Sequence, residues 1–516
     1  MTQYDVLIIG SGAGGGTLAY RLAVAGKKIL ILERGDFLPQ EKQNWNTAAV
    51  FLEERYHTKE VWRQGDGKEL HPQTGYWVGG NTKVFGAALF RLREKDFEEV
   101  QHKGGISPAW PIKYDVFEPY YTEAEKLYEV HGQGGMDPTE PYRSEEYPYP
   151  PVSNEPVMQD IFDSVKKLGL HPFPTPLGIR LDETNPVESK CIRCDTCDAY
   201  PCLVHAKSDA DIMCVRKIMH LPNVTLMTRA RVKGLVTDSS GKEVKSVKVQ
   251  IGENPQLEVF SADVVAVCCG AVNSSALLLA SANDKHPQGL ANSSGQVGRN
   301  FMYHQADAIL AVGLKQTKGI YMKTVSVNDF YFGDKDYPFP MGNIQPLGSF
   351  QYEMIKANFP MLTKFVPDFT LEMMARRAVP WWLMTEDLPN PENRVSLVNG
   401  QIQISYKPNN LESFKRLRDK WIDVLKEAGH AHQWFHLSAY FKKQVPIEGV
   451  GHQNGTCRFG TNPKDSVLDL NCKTHDLDNV YVVDGSFFPS CGAVNPCLTI
   501  IANALRVADH LIERLK

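Results

Sequence analysis

Gly10-Ser11-Gly12-Ala13-Gly14-Gly15 constrains this chain more than any other stretch of its sequence. The segment follows an apolar run, Tyr4 to Ile9, and opens a stretch, 14–25, of small and apolar residues at helical spacing without proline. So apolar a run reads as a strand buried on both faces, as in a parallel sheet. Residues 28–33, Lys-Ile-Leu-Ile-Leu-Glu, supply a second strand, giving a β-α-β unit in about 30 residues. In that context G-x-G-x-x-G is the fingerprint of a dinucleotide site. Gly10 permits the tight turn, Gly12 lets the backbone approach a pyrophosphate, and Gly15 lets the helix pack close to the strand. The helix would face the phosphates with free N–H groups and its positive dipole end. Glu33, ending the second strand, is placed to accept hydrogen bonds from a ribose diol. The motif alone does not choose between NAD and FAD.

Further buried strands read at 263–269, punctuated by Gly270 and followed by a helix through Ala276, and at 479–484. A long helix starts near Pro496. Residues 223–236 and 243–251 read as strands, 393–406 alternate like sheet strands, and 411–428 read as an amphipathic helix. A chain of 516 residues is too long for one core. Because the parallel-type strands sit near the start, middle and end, the expected fold is α/β with a discontinuous Rossmann-like nucleotide-binding domain. Its segments are 1–110, 203–303 and 446–516. A second, α+β, substrate domain takes 111–202 and 304–445.

Lys and Arg number 56 against 60 Asp and Glu, a formal net charge of −4. That balance gives no electrostatic reason to expect a nucleic acid partner. No stretch approaches the roughly 18 apolar residues of a membrane span. The start lacks a basic n-region and a small-residue cleavage site, so a cytoplasmic protein is expected. In that compartment the eleven cysteines are expected as thiols or ligands rather than disulfides.

Several further segments, in order along the chain, resemble the glucose–methanol–choline family of FAD-dependent oxidoreductases. Gly79-Gly80-Asn81-Thr82-Lys83-Val84-Phe85-Gly86, with Arg91 beyond, is similar to its Gly-Gly-x-Ser/Thr segment. Gly270 to Leu278 is similar to its second signature, and Gly298-Arg299-Asn300 with His304 also matches. The strongest likeness is His452-Gln-Asn-Gly455-Thr456, then Val482-Val483-Asp484-Gly485-Ser486, then Asn495-Pro496-Cys-Leu-Thr499. The resemblance implies FAD as cofactor and an alcohol or sugar as substrate, nearest the pyranose oxidase and sugar or gluconate dehydrogenase branch. It implies FAD contacts at Gly10, Gly12, Ala13, Gly14, Gly15, Glu33 and Arg34. It adds Gly79, Gly80, Thr82 and Gly86, then Val232, Ala271, Asp484, Gly485, Asn495, Pro496 and Thr499.

Oxidising an alcohol removes a hydroxyl proton and a hydride. By the resemblance flavin N5 takes the hydride, and His452, beside Asn495 at the flavin face, takes the proton. Histidine suits a base near neutral pH, and an asparagine can hold the substrate oxygen in reach. Asn495 is expected to cap the last helix, with Pro496 at its first position. His304 is expected to be structural. Members with covalent FAD attach it through a His where Val84 stands, so non-covalent FAD is expected. Phe85 stands where many members have Asn and sugar-oxidising members an aromatic. Trp381 and Trp382 are candidates for stacking on a sugar, with a core or surface role as the alternative.

Cys191, Cys194, Cys197 and Cys202 leave more than one reading. The first three have ferredoxin-like spacing, the fourth does not, and reduced structural thiols are the expectation over an iron–sulfur cluster or zinc, so no metal is assigned. Two rival functions stay open beside the oxidoreductase: a redox-silent lyase that keeps FAD, and a dehydrogenase subunit relaying electrons through a cluster. The electron acceptor is not fixed by the sequence.

Overall fold

A computed structural model describes residues 3–314, 316–317, 319–436, 447–449 and 451–516. The expected boundary between 445 and 446 lies outside the described residues.

Five parallel strands build the central sheet, in the order Val224–Met227, Ile29–Leu32, Tyr4–Ile9, Ala262–Val267 and Val480–Val482. They come from the beginning, middle and end of the chain, and the Rossmann-like α/β expectation is met. Val6, Leu7 and Ile8 are fully buried, as are Val480, Tyr481 and Val482. Such runs can exist only where helices cover both faces. The helix Ala13–Val24 packs on the C-terminal helix Cys497–Arg514, which also receives Tyr114–Leu127.

The strand expected over 223–236 divides in two. Val224–Met227 joins the parallel sheet, while Ala230–Thr237 enters a three-stranded antiparallel sheet with Val244–Ile251 and Leu257–Phe260. Arg229, with φ at 51°, makes the corner between them. Thr228-Arg229-Ala230 carries no glycine or proline to reveal such a change of sheet.

A second body of structure centres on a four-stranded antiparallel sheet, Asn343–Pro346, Ala378–Thr385, Gln305–Val312 and Gln433–His436. The helix Leu411–Glu427 lies on it through Leu417, Trp421, Ile422 and Leu425, all buried. Trp381 is fully buried, its ring centroid 4.7 Å from that of Trp421. It is therefore a core residue and does not stack on a ligand. A smaller sheet pairs Trp62–Gln64, and Glu69–Leu70 beside it, with Arg394–Val398 and Gln401–Ser405.

Candidate active site

The first helix begins where three backbones meet. A Cβ on Gly14 would stand 2.0 Å from the Val483 carbonyl oxygen, and one on Gly15 would stand 2.1 Å from the Gly10 oxygen. The close packing expected of Gly15 is thus shared, with Gly14 holding the helix against the last strand. Gly80, at φ 57°, comes so near Gly12 that a Cβ there would lie 2.9 Å from the Gly12 Cα. The Ser11 hydroxyl donates to Glu33 Oε2 (2.6 Å) and accepts from the Gly79 N–H (3.1 Å). Glu33 also accepts from the backbone N–H groups of Ser11 and Gly35. Burial raises the Glu33 pKa, against these hydrogen bonds, which lower it. Arg34 stacks over the Tyr76 ring at 3.6 Å and faces Glu60.

Behind the Gly79–Gly80 turn, buried Lys83 bridges Asp209 (3.0 Å) and Asp211 (2.9 Å). Thr82 accepts from the Ala210 N–H and donates to the Gly79 carbonyl. These bonds tie the turn to residues more than a hundred positions away, so no local pattern could announce them.

On the opposite side, the buried Asp484 carboxylate accepts from Gly270 N, Ser274 Oγ and Ser486 N. The Thr456 hydroxyl donates to the Ala271 carbonyl (2.7 Å), and Gly455 N donates to the Gly485 carbonyl (3.0 Å). His452 is thereby carried to the edge of the same wall.

Between these surfaces lies a cavity of about 1050 Å³. Its wall contains Gly10, Gly12, Ala13, Gly14, Glu33 and Arg34 from the first β-α-β unit. Gly80, Thr82, Gly86, Val84, Phe85, Val232 and Ala271 line it further on, as do Asp484, Gly485, His452, Asn495 and Pro496. Gly15, Gly79 and Thr499 lie outside the lining; the Thr499 hydroxyl is paired with the Tyr121 hydroxyl at 2.7 Å. The volume matches the upper end of ligand pockets. Two backbones at glycine-only distance and a carboxylate at a strand end fit a dinucleotide.

The last helix differs from expectation at its start. Pro496 occupies the capping position and no side chain caps the helix. Asn495 instead leaves its Oδ1 buried without a hydrogen-bond partner among the described residues while lining the cavity. A polar atom left so is costly unless a ligand completes it. Its neighbours Pro496, Cys497 and Ile500 also line the cavity, so the unbonded N–H groups of the first turn lie at its wall.

His452 is half-buried, and burial followed by the neighbouring His304 pushes its pKa down to about 3. His304 lies completely buried with its Nδ1 3.1 Å from the His452 Nδ1. The expectation of a purely structural His304 missed this contact. Trp382 and Gln345 share the cavity wall, and Gln345 Oε1 also lacks a partner. Lys323, fully enclosed, pairs with Asp198 at 2.7 Å and donates to the Gly86 carbonyl. Nothing in the sequence around Lys323 or Gln345 signals the site.

The Cys-rich segment runs beside it. Cys197 lies 3.7 Å from Lys323 Nζ, and burial raises the Cys197 pKa and that of Cys191, the latter to about 12. Cys202 accepts from Ala206 N, and Cys194 from the Thr196 hydroxyl. Among the described residues, no three His, Cys, Asp or Glu side chains are grouped to hold a metal ion. Nor is any helix long and apolar enough to cross a membrane.

Two family models match this chain, both described as GMC oxidoreductase: the N-terminal one over residues 4–306 and the C-terminal one over 392–504. The 6'''-hydroxyparomomycin C oxidase of Streptomyces lividus is 31% identical over 98% of this chain and 92% of its own length. The 2-methyl-1,2-propanediol dehydrogenase of Mycolicibacterium austroafricanum is 28% identical over 99% of this chain and 96% of its own. Among solved structures, a pyridoxine 4-oxidase superposes with a TM-score of 0.67 over 98% of this chain and 99% of that one. At 19% identity that likeness speaks for the fold alone.

Proposed function

This chain belongs to the GMC oxidoreductase family of FAD-dependent enzymes, and from that membership we propose that it oxidises a sugar or polyol hydroxyl with His452 as the base. The observation that carries this reading is the meeting of His452 and the unpartnered Asn495 Oδ1 on one cavity wall. Two full-length relatives named for hydroxylated small molecules support the substrate class.

Gly10, Gly12, Ala13 and Gly14, with Gly80 and Thr82 opposite, would cradle the pyrophosphate. Glu33 would hold the adenosine ribose, with Arg34 and Val232 beside it. Gly86, Ala271, Asp484, Gly485 and Pro496 would border the ring system, while Gly15 and Gly79 shape the cradle from behind. Thr499 would act through its backbone N–H in the first helical turn, since its hydroxyl is taken by Tyr121. Segments 1–110, 203–303 and 446–516 are read as the FAD domain and 111–202 with 304–445 as the substrate domain. Strand Gln401–Ser405, paired with Trp62–Gln64, stitches the two. The FAD is non-covalent, because Val84 on the cavity wall offers no nucleophile.

Bound FAD supplies the two-electron acceptor for the hydrogen leaving the alcohol carbon. The chain's share is the proton. Asn495 holds the alcohol oxygen by donating from its amide N–H, His452 removes the hydroxyl proton as the carbonyl forms, and burial keeps that imidazole neutral beforehand. The last helix, whose first turn lies at the cavity wall, would present its positive end to negative charge on a bound, reduced cofactor.

The test is anaerobic mixing of the yellow holoenzyme with D-glucose, D-fructose, glycerol, 2-methyl-1,2-propanediol and paromamine in turn. At least one is expected to bleach the flavin, and His452→Ala should keep FAD yet slow that bleaching by about 10²–10⁴-fold. No bleaching by any of them would overturn the substrate class, and a wild-type rate in His452→Ala would overturn the base.

A further inference from the structure

His304 and His452 are 148 residues apart in sequence, and backbone pairing between their segments brings them together. Met302 and Asn454 form an antiparallel bridge, each donating its N–H to the other's carbonyl (3.1 and 2.8 Å), and Gly298 N–H donates to the Thr456 carbonyl (2.8 Å). His304 follows Met302 by two residues and His452 precedes Asn454 by two, so the bridge brings the two side chains to one place. The rings meet edge to face, with centroids 5.2 Å apart at 88°.

His304 makes its second contact through Nε2, 3.0 Å from the Gly492 carbonyl oxygen. A carbonyl only accepts, so His304 must carry its proton on Nε2. Neutral imidazole has one N–H, so its Nδ1 is then an acceptor. The proton in the Nδ1···Nδ1 contact therefore belongs to His452. The Gly492 peptide is itself held: its N–H donates to Glu386 Oε1 (3.2 Å), and the next N–H, of Ala493, donates to the Tyr331 hydroxyl (2.9 Å). His304 also sits at φ 73°, a left-handed backbone that a residue with a Cβ adopts only where its surroundings compel it.

We propose that His304 is a positioning residue that fixes the tautomer of His452, taking its Nδ1–H and leaving Nε2 as the lone-pair nitrogen on the cavity side. The catalytic consequence rests on the reading of His452 as base; the tautomer does not. The orienting group is a neutral ring where a carboxylate could have stood. It selects a tautomer without adding a negative charge in contact with the base. The ionisable groups around it are Glu386, which also pairs with His102 at 3.1 Å, then Asp387, which binds Tyr303 N and Gln305 Nε2, and Asp96, which binds the Tyr331 hydroxyl. Of these, Glu386 acts on His304, while burial and His304 itself are the causes acting on His452.

Histidine-selective ¹⁵N NMR of the FAD-loaded protein reads the tautomer directly, with signals assigned from His452→Ala and His304→Gly. The glycine variant removes the ring and also relieves the positive φ, so it keeps the fold better than His304→Ala would. His452 is expected as the Nδ1–H form in the wild type and shifted toward the Nε2–H form in His304→Gly. An Nε2–H His452 in the wild type overturns the proposal.

The kinetic arm uses whichever of the five compounds bleaches the flavin fastest. His304→Gly should slow bleaching about 10–100-fold while substrate affinity changes less than about 3-fold, as expected when a reacting group is misaligned. His304→Gln offers one acceptor and one donor and should restore the rate to within about 5-fold of wild type. Combining His304→Gly with His452→Ala should be no slower than His452→Ala alone. A wild-type rate in His304→Gly, or a glutamine variant as slow as glycine, would sink the positioning role. A wild-type rate in His452→Ala sinks the base assignment and leaves the NMR result standing, so the two failures are distinguishable.

Discussion

The Glu33 carboxylate serves the chain before it serves any ligand. It holds Ser11 through backbone and hydroxyl, and that hydroxyl in turn holds the Gly79 N–H. Glu33→Ala would therefore remove the proposed ribose acceptor and loosen the contact between two glycine turns. One charge-assisted hydrogen bond is worth about 1.5–3 kcal/mol, so FAD affinity should fall by roughly 10–150-fold. Equilibrium dialysis of the holoenzyme checks this, and full FAD occupancy after exhaustive dialysis at low concentration would remove Glu33 from that role. His452 gives a pH prediction with a definite sign. Its pKa is depressed from 6.5 to about 3, so this imidazole stays neutral where an ordinary one would be half protonated. The rate of flavin bleaching should stay flat through pH 6.5 and fall only as the pH approaches the depressed value. Asn495→Ala should lower the whole profile without moving that limb, since an amide does not titrate. The same depression in His452 and in His304, the latter to about 4, places a stability contribution above pH 6.5 that is lost as acid protonates the unfolded chain first.

The first strand, turn and helix were legible because the signals that mark them are local: a buried run, glycines at a turn, small residues at helical spacing. The same holds for the helix Leu411–Glu427, whose apolar stripe is periodic. What escaped was set by register between distant segments. His304 meets His452 through the Met302–Asn454 bridge, Lys83 finds its carboxylates near 210, and the strand expected over 223–236 turns a corner at Arg229. The expected cap by Asn495 failed because the proline after it took the capping position and freed the amide for the cavity. Packing between elements yields a sharp test at Gly14. With 2.0 Å between its would-be Cβ and the Val483 oxygen, Gly14→Ala must push the helix from the last strand. Overpacking of this kind costs about 1–3 kcal/mol or more. Thermal melting should show a lower midpoint and weakened FAD binding, whereas Gly26→Ala, with open space around its would-be Cβ, reports only the cost of its positive φ. Equal effects of the two substitutions would contradict the packing.

On the scale of the molecule, the way FAD is retained is open to a simple measurement. On the proposal that FAD is held without a covalent bond, Val84 offering no nucleophile, acid precipitation should leave the yellow colour in the supernatant; colour in the pellet would refute this. The wall around that cofactor is drawn from both ends of the chain. Arg21, on the first helix, reaches Asp509 across 488 residues, and the sheet is complete only when Val480–Val482 joins Ala262–Val267. Translation delivers these parts in the worst order. A nascent chain exposes Val6, Leu7, Ile8 and Ile9 long before Val480–Val482 can complete the sheet. Until that strand arrives, the apolar strands lie open to non-native contacts.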